Sequence, residues 1–410
     1  MIETLKNAYT LKQREALHVA FDGDFRMLIL HGAVRTGKTV VNNDAFVADV
    51  LRISRLPQQE RGRRPQYILA GYSSSTLQNN VLNELTNKYG WEAKFDRHGN
   101  FMLFGVQIVV TYTNSERGVG SIRGMTAYGA YINEASLANR AVFDEILSRV
   151  SKPNAHIFVD TNPDTPTHWL KTDYIDNKDP DARIKSIQFV LDDNTFLSDD
   201  YVKSLKAETP SGMFYDRKIL GRWVNSEGAV YRDFDESKNF VKIDDIPPIV
   251  NYFAGVDWGY EHKGVIQVWG EDNNGAVYLL DEQAKQHREI DYWVDIAKGY
   301  ESKYGKLVFW SDSARPEHVD RFIEEGLDAR NADKRILKGV EDVAQRIKLD
   351  KLFVVKDNAQ EFAKEVFDYV WDERSGKPIK ENDHSMDAAR YAIHNQFAEN
   401  NKVQILEGIF

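Results

Sequence analysis

The chain contains no cysteine. A disulfide framework, a thiolate metal site and a cysteine nucleophile are therefore excluded, and the composition fits a reducing cytoplasm. Any metal has to be held by oxygen or imidazole ligands. No run approaches the roughly 18 apolar residues of a spanning helix, and Met1-Ile2-Glu3-Thr4-Leu5-Lys6 lacks the apolar core of a signal peptide. Neither membrane insertion nor secretion is expected. Repeats and low-complexity tracts are absent too, which removes solenoid and disordered-tail readings. An excess of positive charge is also missing: 53 Lys and Arg stand against 63 Asp and Glu, a net of −10. Such a chain does not coat nucleic acid by bulk electrostatics. The deficit is uneven, however. Residues 1–225 carry 28 basic and 26 acidic side chains, residues 226–410 carry 25 and 37, so carboxylates are gathered in the second part.

At 410 residues and 42% hydrophobic content, two domains are expected. Asn225-Ser226-Glu227-Gly228 and Pro247-Pro248 flank a stretch without helical period. The expected division is a first domain over 1–225, a linker or hinge over 226–250 and a second domain over 251–410. In the first, Met27 to Leu30, Tyr67 to Ala70, Val106 to Thr111, Tyr128 to Ile132 and His156 to Val159 are short apolar runs suited to strands buried on both faces. They predict a mainly parallel sheet with helices between. In the second, Phe253 to Val256, Val265 to Trp269 and Ala276 to Leu280 follow in quick succession, with Asp272-Asn273-Asn274-Gly275 as a turn. A helical pattern over Tyr292 to Tyr304, a strand over Leu307 to Trp310 and mostly helix thereafter predict a mixed α/β sheet of the RNase H kind.

Gly32-Ala33-Val34-Arg35-Thr36-Gly37-Lys38-Thr39 satisfies G-x-x-x-x-G-K-[ST] between an apolar strand and a helical run. Its backbone N–H groups and the helix N-terminus would cradle the phosphates of ATP, with Lys38 on the β and γ oxygens and Thr39 helping to hold Mg²⁺. Arg35 is either a finger on the γ-phosphate or a solvated arginine. Gln13 either reads adenine or is a polar residue on a surface helix. Ala130-Tyr131-Ile132-Asn133-Glu134 resembles the second acidic strand end of a hydrolysing P-loop enzyme, with Asn133 where an aspartate is usual and Glu134 as candidate catalytic base. The plainer alternative gives Glu134 only to a helix dipole. Asp160-Thr161-Asn162-Pro163 is a polar strand end, either a γ-phosphate sensor through Asn162 or a capped turn.

Asp257 and Asp312 each end a predicted strand, and Asp387 lies early in the last helix. Two-metal cleavage of a phosphodiester needs carboxylates that hold divalent ions about 3.5–4 Å apart, and oxygen ligands suit Mg²⁺ and Mn²⁺. Asp383 and Asp387 stand four apart on one helix face beside His384. With 37 acidic residues available, an accidental triple is the competing explanation.

Together these motifs resemble the large terminase subunit of tailed double-stranded DNA phages, over essentially the whole chain. Ser121-Ile122-Arg123-Gly124, Asp193-Asn194, Leu220-Gly221-Arg222-Trp223 and especially Asp383-His384-Ser385-Met386-Asp387-Ala388-Ala389-Arg390-Tyr391 add to the resemblance. It implies a packaging ATPase followed by a nuclease, with Asp257, Asp312 and Asp387 as metal ligands and His384 close by. It also implies a homo-oligomeric ring on a portal protein, a small terminase partner, double-stranded DNA as substrate, and work at the prohead in the host cytoplasm. Arg52, Arg55, Arg61, Arg63 and Arg64 form either a phosphate-tracking loop or a solvated one, and Arg117 and Arg123 are further candidates for DNA or a neighbouring subunit's phosphate. Two rival readings are a helicase or repair ATPase with a non-cleaving nucleic-acid-binding domain, and a non-hydrolysing assembly protein.

Overall fold

The computed structural model describes residues 8–61, 64–225, 227–372 and 375–407. The chain divides into two compact units, Met1–Lys203 with Tyr215–Val224, and Ser204–Phe214 with Asn225–Phe410.

The first unit is built on seven strands: β1 (Met27–Gly32), β2 (Gln66–Gly71), β3 (Phe101–Leu103), β4 (Val106–Tyr112), β5 (Gly129–Ile132), β6 (His156–Thr161) and β7 (Ile184–Phe189). Their order is β3-β4-β2-β5-β6-β1-β7, parallel throughout except for the β3–β4 pair. Both faces are covered, which explains the continuous apolar runs. Leu28, Leu30, Leu69, Tyr131 and Phe158 belong to one core, and Met27, Ile29, Ile68, Ile132 and Val159 to the other. Because the strands run parallel, β1, β5 and β6 finish at the same edge, where ligands of open α/β sheets bind. Two strands fall outside the expected set. β3 has only three residues, and β7 is an edge strand in which Ile187 and Phe189 are buried while Lys185, Ser186 and Gln188 are exposed.

The second unit holds β8 (Phe240–Val241), β9 (Ile249–Asp257), β10 (Gly264–Asp272), β11 (Val277–Lys285), β12 (Val308–Ser311), β13 (Asp328–Asn331) and β14 (Leu352–Val355). The order is β13-β12-β9-β10-β11-β14-β8. β9, β10 and β11 form the antiparallel meander, and the remaining pairs are parallel. The Asp272 carboxylate closes the meander turn by accepting from the N–H of Asn274 (2.8 Å) and Ala276 (2.9 Å). Part of 226–250, read as a linker, is a sheet edge: Phe240 and Val241 pair with Val354 and Val355. No described helix is long and apolar enough to cross a membrane.

One face of this sheet carries a core of Ala254, Val256, Val268, Trp293, Phe309 and Phe322. Across the other runs the helix His384–Glu407, whose approach is set by Gly255 on β9. A Cβ there would stand 2.1 Å from the Ala388 carbonyl oxygen and 2.8 Å from the Ala392 Cβ. The missing side chain thus lets the helix lie directly on the strand that ends in Asp257. Gly255→Ala is expected to destabilise the second unit by about 1–3 kcal/mol, since the contacts are backbone and cannot relax. Denaturant unfolding of wild type and variant checks this.

Candidate functional site

The loop between β1 and the helix Lys38–Ser54 is held by backbone contacts that only glycine permits. Gly32 has φ 136° and lies against the Phe189 carbonyl oxygen, which accepts the Ala33 N–H at 2.9 Å. Gly221, φ 64°, closes on the same carbonyl, and Lys218 O accepts from Val34 N at 3.1 Å. Gly37 has φ 80° and starts the helix. Arg35 is also left-handed, at φ 59°, and its carbonyl accepts from Asn194 Nδ2 at 2.6 Å.

This loop borders a cleft of about 510 Å³ lined by residues 34–40 together with Asn80, Glu134, Asp160, Thr161, Asn162 and Asn194. Arg35, Thr36, Gly37, Lys38, Thr39, Glu134 and Asn162 are therefore brought together, Arg35 with its side chain exposed. The Lys38 ammonium is buried and donates to the carbonyls of Gly32 (3.0 Å) and Ala33 (2.5 Å), to Thr36 Oγ1 (3.3 Å) and to Asn162 Oδ1 (3.2 Å). Burial lowers its pKa to about 8, against the opposing charges of Asp160 and Glu134.

Three of the expected residues do not line the cleft. Gln13 does not line the cleft. Its amide oxygen accepts from Thr10 N (2.8 Å) in a capping box, and its Nε2 donates to Gly37 O (3.2 Å), so it braces the loop instead of facing a base. Gly32 is not a lining residue either; it contributes the carbonyl that takes Lys38. Asn133 is fully buried behind the cleft: its Oδ1 accepts from Asn80 (3.1 Å) and its Nδ2 donates to Asp160 Oδ1 (2.8 Å).

Asn133 brings no carboxylate to the end of β5, and the buried carboxylate nearest to it is Asp160 on β6. Only 2% exposed, Asp160 lines the cleft and also accepts from Tyr131 Oη (2.7 Å) and Glu134 N (3.1 Å). Burial raises its pKa, and burial followed by the Asp160 charge raises that of Glu134. Glu134 sits at φ 58°, a strained conformation for a side-chain-bearing residue at the cleft edge. The sequence singled out the Asp160-Thr161-Asn162-Pro163 strand end but not Asp160 as the charge.

In the second unit, Asp257, Asp312, Asp383, His384 and Asp387 line one cleft of about 650 Å³. β9 delivers Asp257, the end of β12 delivers Asp312, whose N–H donates to Val256 O (2.9 Å), and the start of the helix His384–Glu407 delivers the others. Each of three carboxylates has a basic partner: Asp257 meets His384 Nδ1 at 3.0 Å, Asp312 meets Lys334 at 2.9 Å, and Asp387 meets Arg390 at 2.7 Å. With these partners in place, no group of three acidic or imidazole side chains among the described residues stands arranged to hold a metal ion. Like charges gathered in one cleft repel, and the basic partners of Asp257, Asp312 and Asp387 offset that repulsion. Burial lifts the Asp257 carboxyl to about 7, His384 opposing; burial and the Asp387 charge raise Asp383; and the Asp257 hydrogen bond raises His384. The carboxylates lining the cleft offer oxygen donors, the kind a hard divalent ion takes, while Lys263, Lys334 and Lys380 line it too.

The helix start is itself held by carboxylates the sequence did not mark. Glu365 accepts from Ser385 N (2.7 Å), and Glu282 accepts from Ser385 Oγ, Gln267 Nε2 (2.9 Å) and Glu361 N (2.8 Å). Among the arginines, Arg52 is tied to buried Asp49 (2.8 Å) and Asn154 O (3.1 Å), while Arg55, at the end of the helix Lys38–Ser54, and Arg64 are exposed. Arg63 and the Arg61 side chain lie outside the described residues. Arg117 and Arg123 are exposed and do not line the nucleotide cleft.

A glycine-bounded phosphate loop after β1, a buried lysine and acidic strand ends on a parallel sheet define the first unit as a P-loop nucleotide-binding unit. The family model described as terminase large subunit, T4-like-virus type, N-terminal, matches residues 29–238, just over half of the 410. The chain belongs to the large terminase subunit family. The large terminase of a thermophilic bacteriophage is similar in structure over 93% of this chain and 98% of that one, with a TM-score of 0.81 and 25% identity. Its complexes with ADP (TM-score 0.78, 24% identity) and with ATP-gamma-S (0.77, 24%) cover the same shares. No curated protein matches the chain.

Because a Lys38 pKa near 8 leaves the ammonium partly deprotonated above that pH, phosphate binding there has to take up a proton. Nucleotide affinity is expected to be insensitive to this group below about pH 8 and to weaken by up to tenfold per pH unit above it. Titration with a fluorescent ADP analogue across pH 7–10 reads the slope.

Proposed function

We propose that this protein is an ATP-driven translocase of double-stranded DNA with a metal-dependent endonuclease in its second unit. The observation that carries it is the convergence of Asp257, Asp312, Asp383 and Asp387 from two strands and a helix on one cleft, in a chain whose first unit has a complete phosphate loop. The second sheet, read from β9, has the order 3-2-1-4-5 with its second strand antiparallel, and an RNase H-like fold is the reading this supports.

In the first cleft Lys38 and the loop N–H groups would bind the β and γ phosphates, and Thr39 with Asp160 would serve Mg²⁺. Glu134, with a pKa raised by burial, would take the proton of the attacking water. Asn162 touches Lys38, so loss of the γ-phosphate would reach the end of β6 through one hydrogen bond. In the second cleft Asp257, Asp312 and Asp387, with Asp383 beside them, would hold Mg²⁺ or Mn²⁺, which supply Lewis acidity toward a phosphodiester. His384 would orient the Asp257 carboxylate, and Lys334 and Arg390 would release theirs. A homo-oligomeric ring on a portal protein, a small terminase partner and action at the prohead in the host cytoplasm complete the proposal, on family grounds. The specific pairing of each carboxylate with a cation favours a second reading, in which this unit binds nucleic acid without cutting it.

ATP turnover is expected to vanish in Lys38→Ala and to fall about 10²–10⁴-fold in Glu134→Gln. Asp160→Asn is expected to fall at least tenfold if that carboxylate replaces the one missing at Asn133. Coupled-assay kinetics with DNA present check all three, and unchanged turnover in Asp160→Asn would return the metal role to Asn133. For cleavage, full-length protein with Mn²⁺ should nick supercoiled plasmid and Asp257→Ala should not. Equal inertness of both would favour the second reading.

A further inference from the structure

On β1, Met27 and Ile29 face one core, and the next residue on that face is His31. His31 is only 7% exposed, yet it lines a cavity of about 400 Å³ with Lys171, Lys178, Ser186, Gln188 and Arg222. Trp223 Nε1 lies 3.3 Å from its Nδ1. An indole N–H only donates, so Nδ1 accepts and the ring proton sits on Nε2. That N–H has no hydrogen-bond partner among the described residues. Burial, then the charges of Lys38 and Lys171, push the imidazole pKa down to about 4, which keeps the ring a neutral donor.

The charges around it are unbalanced. Asp176 is the one acid lining the cavity, and it is taken by Lys171 at 2.5 Å. Lys178 has no ion pair among the described residues, and Arg222 reaches Asp216 only at 3.4 Å. A fixed N–H donor, a free ammonium and a guanidinium fork facing one concavity match a tetrahedral oxyanion and leave nothing for a cation.

We propose that this cavity binds a phosphate group, separate from the nucleotide cleft, with which it shares no lining residue. His31 and Gly32 are consecutive, so the bound oxyanion would stand at the root of the phosphate loop on the sheet face opposite to Leu28 and Leu30. Its source is either the DNA backbone or free phosphate. The test uses the full chain with ADP saturating the nucleotide cleft. A fluorescent blunt duplex is titrated by anisotropy at several salt concentrations, and inorganic phosphate by calorimetry. The variant is Lys178→Ala/Arg222→Ala, two exposed positions, with Lys94→Ala/Arg97→Ala as an equally exposed control pair and melting curves to confirm folding. At least about fivefold weaker binding is expected in the first variant and not in the control, with a shallower salt slope if two duplex phosphate contacts are lost. Loss confined to the duplex identifies the DNA backbone, and loss confined to inorganic phosphate identifies the free ion. Unchanged binding of both, or an equal loss in the control pair, would overturn the site.

Discussion

The nucleotide cleft depends on a negative charge almost without water. Leaving a carboxylate such as Asp160 buried would cost several kcal/mol if it were unpaired. Here Tyr131, Asn133 and the Glu134 amide all donate to it, and the Lys38 ammonium stands nearby as its counter-charge. Those donors come from β5 and the acceptor from β6, so satisfying the charge also fixes the two strand ends against each other. The same contact ties the Glu134 amide, in its left-handed conformation, at the edge of the cleft.

The second unit meets the converse problem, several carboxylates together. Three of the acids are neutralised locally, each by a different base: Asp257 by His384 at the helix start, Asp312 by Lys334 after β13, and Asp387 by Arg390 one turn along the helix. A divalent ion held there, as proposed, would compete with these internal cations. The strength of metal binding is then a difference between two sets of charge interactions and is not given by the number of carboxylates.

Much of this was legible in the sequence, and the reasons differ by element. Strands buried on both faces announce themselves as unbroken apolar runs, and the phosphate loop as a spaced pair of glycines before lysine, because each depends on residues adjacent in the chain. Asp257, Asp312 and Asp387 could be nominated because strand ends and helix starts are readable positions. What escaped depends on contacts across the fold. Nothing near Asn133 states that its amide will bond the Asp160 carboxylate, one strand away. Nothing near Gln13 states that both ends of its amide are spent on Thr10 and Gly37. The counterions Lys334 and Arg390 are ordinary basic residues until the sheet closes. β3, β8 and β13 are too short to produce a period.

The paired glycines at the base of the phosphate loop carry a mechanical corollary. Gly32 and Gly221 close on the carbonyl of Phe189 with no side chain between them, and Val34 is tied to Lys218. The segment 218–223 is thus held to the loop root by close backbone contacts at Gly221 and Lys218 and by the Trp223 indole on His31. Two residues after Trp223 the chain leaves the first unit for the second. The last of the three places where the chain passes between the units therefore directly follows a segment held to the loop root.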